Sequence, residues 1–168
     1  MDLPGEITKR QTQFSCIAQK AKENPNETFT SLAHYLTYEY LLTSFGKLRR
    51  GAASGIDRVD VRDYEKNLAS NLENLQDRLR TKQYKAPNIR RVWIDKDNGK
   101  QRPLGISTTE DKIVQRAVAD ILNLILEQDF YGFSYGFSPK RSAHQALAYQ
   151  RSQSMRRKMK WILDADIQ

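Results

Sequence analysis

The spacing of apolar residues along the chain predicts a mostly helical protein. The clearest helix is predicted over 61–82, where apolar residues recur every three or four positions and share one face. These residues are Tyr64, Leu68, Leu72, Leu75 and Leu79. Another helix is predicted to start at a cap formed by Thr108 or Thr109. Its apolar positions cover a wide arc, which predicts that it is buried.

The N-terminal part gives weaker signals. Residues 1–27 are polar and indicate a loose arm, with a short helix near 14–22. A helix is predicted over 28–46, and the glycine-rich, basic stretch GKLRRGAASGIDRVD that follows is typical of a loop.

Residues 89–106 change to the pattern of a β-hairpin. IRRVWI (89–94) is rich in β-branched and aromatic residues, and QRPLGI (101–106) is predicted as the returning strand. Asn98-Gly99 between them is a strong signal for a tight turn. Because Pro103 cannot donate a backbone hydrogen bond, the second strand should lie at an edge or be irregular.

The C-terminal third combines a loop, a helix and a strand. FYGFSYGFSPKRS (130–142) is predicted as an aromatic loop, and Ser142 with Gln145 forms a capping box that starts a helix at about Ala143. KWILDADIQ (160–168) is predicted to begin a strand. Because the sequence stops inside that strand, we expect it to continue in a longer protein.

The chain is strongly basic, with a net charge of +8 and a pI of about 9.6, and its Lys and Arg residues are clustered. Residues 78–102 carry nine Lys or Arg and two acids, and residues 151–160 carry five and no acid. Such clusters favour a polyanionic partner over an evenly solvated surface. No apolar run approaches the length of a membrane span, and the single Cys16 excludes an internal disulfide. We therefore expect a cytoplasmic protein.

Two groups of residues suggest phosphate chemistry. Lys96, Lys100 and Arg102 flank the hairpin turn and could hold phosphates, although a solvated surface hairpin is the alternative. Asp164 and Asp166 lie two positions apart on the predicted last strand and so share a face. They could bind Mg²⁺, which prefers carboxylate oxygens, or they could lie at a strand end that emerges into solvent.

The order of the motifs closely resembles that of bacterial group II intron-type reverse transcriptases. It runs through RGAASGID, YKAPNIRRVWI, NGKQRPLGIST, EDKIVQRAV, EQDFYGFSYGFSPKRSAHQAL and WILDADI, and covers nearly the whole chain from about residue 45. Retron, diversity-generating and CRISPR-associated enzymes share parts of it. The resemblance implies a right-hand polymerase of α+β class, with an N-terminal extension (1–60), fingers (61–158, with the hairpin at 89–106) and the start of a palm strand (159–168).

The resemblance also implies roles for single residues. Lys96 and Arg102 match the positions that bind the triphosphate of the incoming dNTP. Asp166 matches a catalytic ligand of Mg²⁺, with the carbonyl of Ile167 beside it, whereas the role of Asp164 is less defined. The expected nucleic-acid contacts are basic residues in or near the glycine-rich segment, the hairpin and the SPKRS loop: Arg49, Arg50, Arg90, Arg91, Lys100, Lys140 and Arg141.

The expected partners are an RNA template, a DNA primer, dNTP and intron RNA, and a homodimer is left open. The chain departs from the family pattern at Asp95, Ser107 and Ser138, and it contains neither the second, paired-aspartate motif nor a thumb. We therefore expect the intact protein to be an RNA-directed DNA polymerase and these 168 residues alone to be inactive. The alternative is a non-catalytic RNA-binding module of maturase type.

Overall fold

The protein combines helices with one small sheet. The computed structural model describes residues 4–96, 99–161, 163 and 165. Its elements in chain order are α1 (Pro4–Glu23), a 3-10 helix (Ala33–Tyr35), α2 (Tyr38–Gly46), α3 (Val61–Glu65), α4 (Leu68–Arg80), β1 (Arg90–Asp95), β2 (Gln101–Ile106), α5 (Thr109–Leu126) and α6 (Ala143–Arg156). The two strands form an antiparallel sheet. This confirms the α+β class and the β-hairpin, while the division into extension, fingers and palm stays a prediction.

Helix α5 forms the centre of the core. It packs against α1, α2 and α3, and α2 also packs against α4. Ile113 and Ala117 of α5 are fully buried in one cluster with Leu41, Leu72 and Leu75. Burial of a large aliphatic side chain contributes about 1.5–3 kcal/mol, so this cluster accounts for much of the stability. The predicted burial of α5 is confirmed.

The predicted caps of α5 and α6 are also confirmed. The Thr108 hydroxyl accepts a hydrogen bond from the backbone N–H of Asp111 at 3.3 Å. At α6 the Ser142 side chain accepts from the Gln145 N–H at 3.3 Å, and the Gln145 side chain accepts from the Ser142 N–H at 2.9 Å. Each cap satisfies backbone donors that would otherwise lack a helical partner.

The predicted loose N-terminal arm is wrong. Residues 4–23 form the continuous helix α1, not a short helix near 14–22. Ile17 and Ala21, one helical turn apart, are both buried, and Phe14 packs against the core cluster. A narrow apolar stripe facing α5 is enough to hold an otherwise polar helix.

The helix predicted over 28–46 is shorter in the structure. Within residues 28–37 the structure has one short element, the 3-10 helix Ala33–Tyr35, and α2 begins at Tyr38. The Thr37 hydroxyl accepts a hydrogen bond from the Tyr40 N–H at 3.3 Å, and this cap starts α2 ten residues later than predicted.

The helix predicted over 61–82 is divided into α3 and α4. The break falls between Glu65 and Leu68, where the Asn71 side-chain amide donates to the Tyr64 carbonyl at 3.1 Å. Tyr64 and Leu72 are nevertheless both buried in the core. The apolar face therefore continues across the break, although the backbone does not.

The predicted palm strand over 160–168 falls largely outside the described residues. Asp164, Asp166 and Ile167 are among those outside. Trp161 and Leu163 are described, carry no strand and are almost fully exposed. Within the described part of the chain, no helix has the length and apolarity needed to cross a membrane.

Candidate nucleotide and nucleic-acid interface

The hairpin carries its predicted phosphate-binding cations on one face. Arg102 pairs with Ile94 across the sheet. The Lys96 N–H donates to the Lys100 carbonyl at 2.7 Å, so Lys96 and Lys100 are paired in the same register just beyond the strands. Because side chains alternate along a strand, Lys96, Lys100 and Arg102 share a face. All three are exposed.

The turn geometry suits the sequence. Gly99 has a φ of 73°, a left-handed conformation that glycine adopts without steric cost, and its N–H donates to the Lys96 carbonyl at 2.9 Å. The acidic side chain of Asp95 lies on the opposite face, where it accepts a hydrogen bond from Gln101 at 2.9 Å. That acid is therefore directed away from the three cations.

The glycine-rich segment 51–57 is fastened to the base of the hairpin. The Arg90 guanidinium donates to the Ser54 carbonyl from Nε at 3.1 Å and from Nη2 at 2.8 Å. Lys112 of α5 donates from Nζ to the neighbouring Ala53 carbonyl. Arg90, predicted as a nucleic-acid contact, thus has an internal partner, and its contact with nucleic acid stays a prediction.

The other basic residues near these motifs differ in their surroundings. Arg50 pairs with Glu65 at 2.9 Å, whereas Arg49 lies exposed beside it. Arg91 is exposed on the face of the sheet opposite Arg102. Arg49 and Arg91 are accessible to a polyanion, and the nucleic-acid contacts of Arg49, Arg50 and Arg91 stay predictions.

A polar network that the sequence did not predict supports the N-terminus of α5. Arg78 of α4 pairs with Glu110 at 2.7 Å, and the Tyr84 hydroxyl donates to Asp111 at 2.9 Å. Gln115 donates to the same carboxylate at 2.6 Å and to the Ser107 hydroxyl at 3.0 Å. Burial, helped by the hydrogen bond to Asp111, raises the pKa of Tyr84.

This network fixes the position from which the hairpin extends. Strand β2 ends at Ile106, and Ser107 and Thr108 lead directly into α5. The contacts of Ser107 and of the first turn of α5 therefore hold the hairpin base to the core. Tyr84 and Asp111 are 27 residues apart, so no local pattern in the sequence could have indicated their contact.

The aromatic loop is organised by Arg141. Its Nη1 donates to the carbonyls of Gly132 and Ser134 at 2.6 and 2.7 Å. In the same loop the rings of Tyr131 and Phe133 stack in parallel, with centroids 5.2 Å apart. Arg141 thus has internal partners in the loop, and its contact with nucleic acid stays a prediction.

Lys140 and Phe137 are two of the exposed residues of this loop. Both have positive φ, 62° and 58°, and both line a groove of about 1150 Å³ beside α5. The Phe137 ring is fully exposed. Lys140 is therefore available for the phosphate contact predicted from the motif.

The expected Mg²⁺ site cannot be built from the described side chains. Asp166 and Ile167, its predicted ligands, lie outside them. Among residues 4–96, 99–161, 163 and 165, no group of three or more His, Cys, Asp or Glu could hold a metal ion. The cofactor stays a prediction that depends on Asp166.

Comparison with known proteins supports the resemblance found in the sequence. Protein YkfC of Escherichia coli strain K12 is 39% identical over 158 residues, which is 90% of this chain and 42% of that protein. The group II intron-encoded protein LtrA of Lactococcus lactis subsp. cremoris is 33% identical over 163 residues, which is 90% of this chain and 25% of that protein. No family model matches the chain.

More distant relatives are similarly named after introns. The putative COX1/OXI3 intron 2 protein of Saccharomyces cerevisiae is 26% identical over 148 residues, which is 81% of this chain and 16% of that protein. The chain thus spans less than half the length of these curated relatives. It is similar to group II intron-encoded proteins, and the resemblance to group II intron-type reverse transcriptases is confirmed.

Proposed function

We propose that this chain forms the fingers and the beginning of the palm of an RNA-directed DNA polymerase. The observation that carries the proposal is the common exposed face of Lys96, Lys100 and Arg102 on the hairpin. A lysine supplies a compact charge and an arginine a planar fork of donors, which together suit a triphosphate. The resemblance to reverse transcriptases makes a nucleotide the expected occupant of this face.

In the proposed reaction, the 3′-hydroxyl of a primer attacks the α-phosphorus of the dNTP. A phosphodiester bond forms and pyrophosphate leaves. Lys96 and Arg102 hold the triphosphate and orient it for in-line attack. Mg²⁺, held by Asp166 and the Ile167 carbonyl, would neutralise the developing negative charge. Because two-metal catalysis also needs the paired-aspartate motif, which these 168 residues lack, they should not polymerise alone.

The proposed nucleic-acid partners are an RNA template, a DNA primer and intron RNA. Exposed Arg49, Arg91 and Lys140, together with Lys100, supply the basic surface that supports this proposal. Contacts of this kind are made mainly to phosphates and carry little sequence information.

The test is primer extension on an RNA template with dNTP and Mg²⁺. The full-length protein that contains this chain is compared with the 168 residues alone. We expect product from the full-length protein only. If neither makes product while RNA binding persists, polymerisation is excluded and the RNA-binding, maturase-type alternative takes its place.

A further inference from the structure

Three segments meet at the base of the hairpin. The glycine-rich loop 51–57 is bound there by Arg90 of β1 and by Lys112 of α5, through the carbonyls of Ser54 and Ala53. The loop also approaches the backbone just before α5, where a Cβ on Gly55 would lie 2.5 Å from the Thr108 Cα. The loop, the hairpin and α5 are therefore joined by side-chain bonds and by close backbone packing.

We propose that Arg90 is a positioning residue, which fixes the hairpin against loop 51–57 and so determines where Lys96 and Arg102 meet the nucleotide. This inference rests on the proposed polymerase function. It gives Arg90 a role different from the phosphate contact that its charge suggested. The loop then acts as a brace for the nucleotide-binding hairpin.

The geometry favours an internal role for the guanidinium. Both Nε and Nη2 of Arg90 donate to a single carbonyl oxygen, that of Ser54. This bifurcated arrangement fixes the orientation of the side chain, since movement would lengthen both bonds at once. Lys112 of α5 donates to the preceding carbonyl, that of Ala53, so the loop is bound by two elements, β1 and α5.

A small rotation at the base of the hairpin produces a large displacement at its tip. Lys96 is six residues beyond Arg90, a distance of about 20 Å along an extended strand. A rotation of about 10° at the base would therefore move the tip by about 3.5 Å, and displacements of about 1 Å are already costly in an active site. Loss of the brace should consequently weaken the hold on the triphosphate.

The test compares two uncharged substitutions of similar size in the full-length protein. Arg90→Gln places an amide N–H donor at the chain position of the arginine Nε, so it can still donate to the Ser54 carbonyl. Arg90→Met has neither donor nor charge. Arg62→Ala, which removes an exposed arginine from α3, controls for the change in net charge. Thermal unfolding confirms that each variant is folded.

We expect Arg90→Met to raise KM for dNTP about tenfold, with a much smaller change in kcat. Arg90→Gln should retain most of the normal KM, and Lys112→Met should change KM in the same direction as Arg90→Met. Backbone amide exchange across 51–58 should be faster in Arg90→Met than in Arg90→Gln. Arg62→Ala should match the unsubstituted protein.

Each other outcome has a defined meaning. Equal increases in KM for Gln and Met would show that the charge matters and would overturn the positioning role in favour of a phosphate contact. Unchanged KM in Arg90→Met would overturn the inference while leaving the polymerase function intact. Absence of product from the unsubstituted full-length protein would instead overturn the proposed function, and this inference with it.

Discussion

Gly55 packs against the backbone of Thr108 so closely that no side chain fits between them. A Cβ at residue 55 would lie 2.5 Å from the Thr108 Cα, 2.6 Å from its nitrogen and 2.9 Å from the Ser107 carbonyl carbon. Real Cβ atoms do not approach backbone so closely, and backbone atoms cannot move aside as a flexible side chain can. The glycine is therefore required by the contact between the loop and the start of α5.

Gly55→Ala should consequently destabilise the protein by about 1–3 kcal/mol, the usual cost of overpacking a tight site. The matched control is Gly51→Ala in the same loop, because a Cβ there meets nothing within 4 Å. Urea unfolding followed by circular dichroism would measure both variants. Equal unfolding midpoints for the two variants would contradict the close packing.

Removal of the Tyr84 hydroxyl should also be destabilising. Tyr84→Phe leaves the buried carboxylate of Asp111 without one of its donors, and a hydrogen bond to a charged group is worth about 1.5–3 kcal/mol. Tyr149→Phe, at an exposed position, is the control and should change the unfolding free energy by less than about 0.5 kcal/mol. A Tyr84→Phe variant as stable as this control would mean that Asp111 does not depend on the hydroxyl.

Features that depend on neighbouring residues could be predicted from the sequence. The Thr108 cap, the Ser142–Gln145 capping box and the Asn98-Gly99 turn signal each lie within a few positions, and the two helix starts and the hairpin were predicted correctly. The apolar face of α4 was also predicted correctly, because the spacing of apolar residues continues across the break in the helix before Leu68.

Features that depend on distant residues could not be predicted in this way. Arg90 and Ser54 are 36 residues apart, and Lys112 and Ala53 are 59 apart. The sequence therefore indicated a nucleic-acid contact for Arg90, because its carbonyl partner is near it only in the folded chain. The length of α1 was underestimated for the same reason. Its few apolar residues stabilise a helix because they pack against α5, which is distant in the sequence.

Stability should fall at alkaline pH through Tyr40. Burial, together with the nearby Asp120 carboxylate, raises the pKa of Tyr40 from 10.0 to about 12. Because the unfolded chain then loses this proton first, the stabilisation is complete below about pH 10 and is lost as pH rises towards 12. The slope for one such group is at most about 1.4 kcal/mol per pH unit.

Urea unfolding of the unsubstituted chain and of Tyr40→Phe between pH 8 and 12 would check this. The stability advantage of the unsubstituted chain should shrink by about 2 kcal/mol above pH 10, since phenylalanine cannot ionise. Parallel stability curves for the two proteins would show that Tyr40 titrates normally.

Arg141 should order the aromatic loop rather than merely add charge. Arg141→Met removes the donor to the Gly132 and Ser134 carbonyls, so amide exchange over 131–136 should become at least several-fold faster. Lys140→Met removes the same charge from the adjacent position and should leave exchange in that segment unchanged. Comparable acceleration in both variants would point to a general effect of charge and contradict the bracing role.

Arg102 should act in nucleotide binding and Asp166 in the chemical step, and the two roles can be separated in the full-length protein. Arg102→Ala removes the guanidinium from the face of the hairpin that carries Lys96 and Lys100. KM for dNTP should therefore rise about tenfold or more, which corresponds to the loss of one charge-assisted hydrogen bond. Asp166→Asn should abolish synthesis while RNA binding persists, because it removes a carboxylate ligand of Mg²⁺. Steady-state primer extension over a range of dNTP concentrations measures the change in KM for Arg102→Ala. Filter binding of labelled RNA shows whether Asp166→Asn is still folded when it makes no product. Undiminished synthesis by Asp166→Asn would remove this aspartate from the mechanism, and an unchanged KM in Arg102→Ala would remove the hairpin from nucleotide binding.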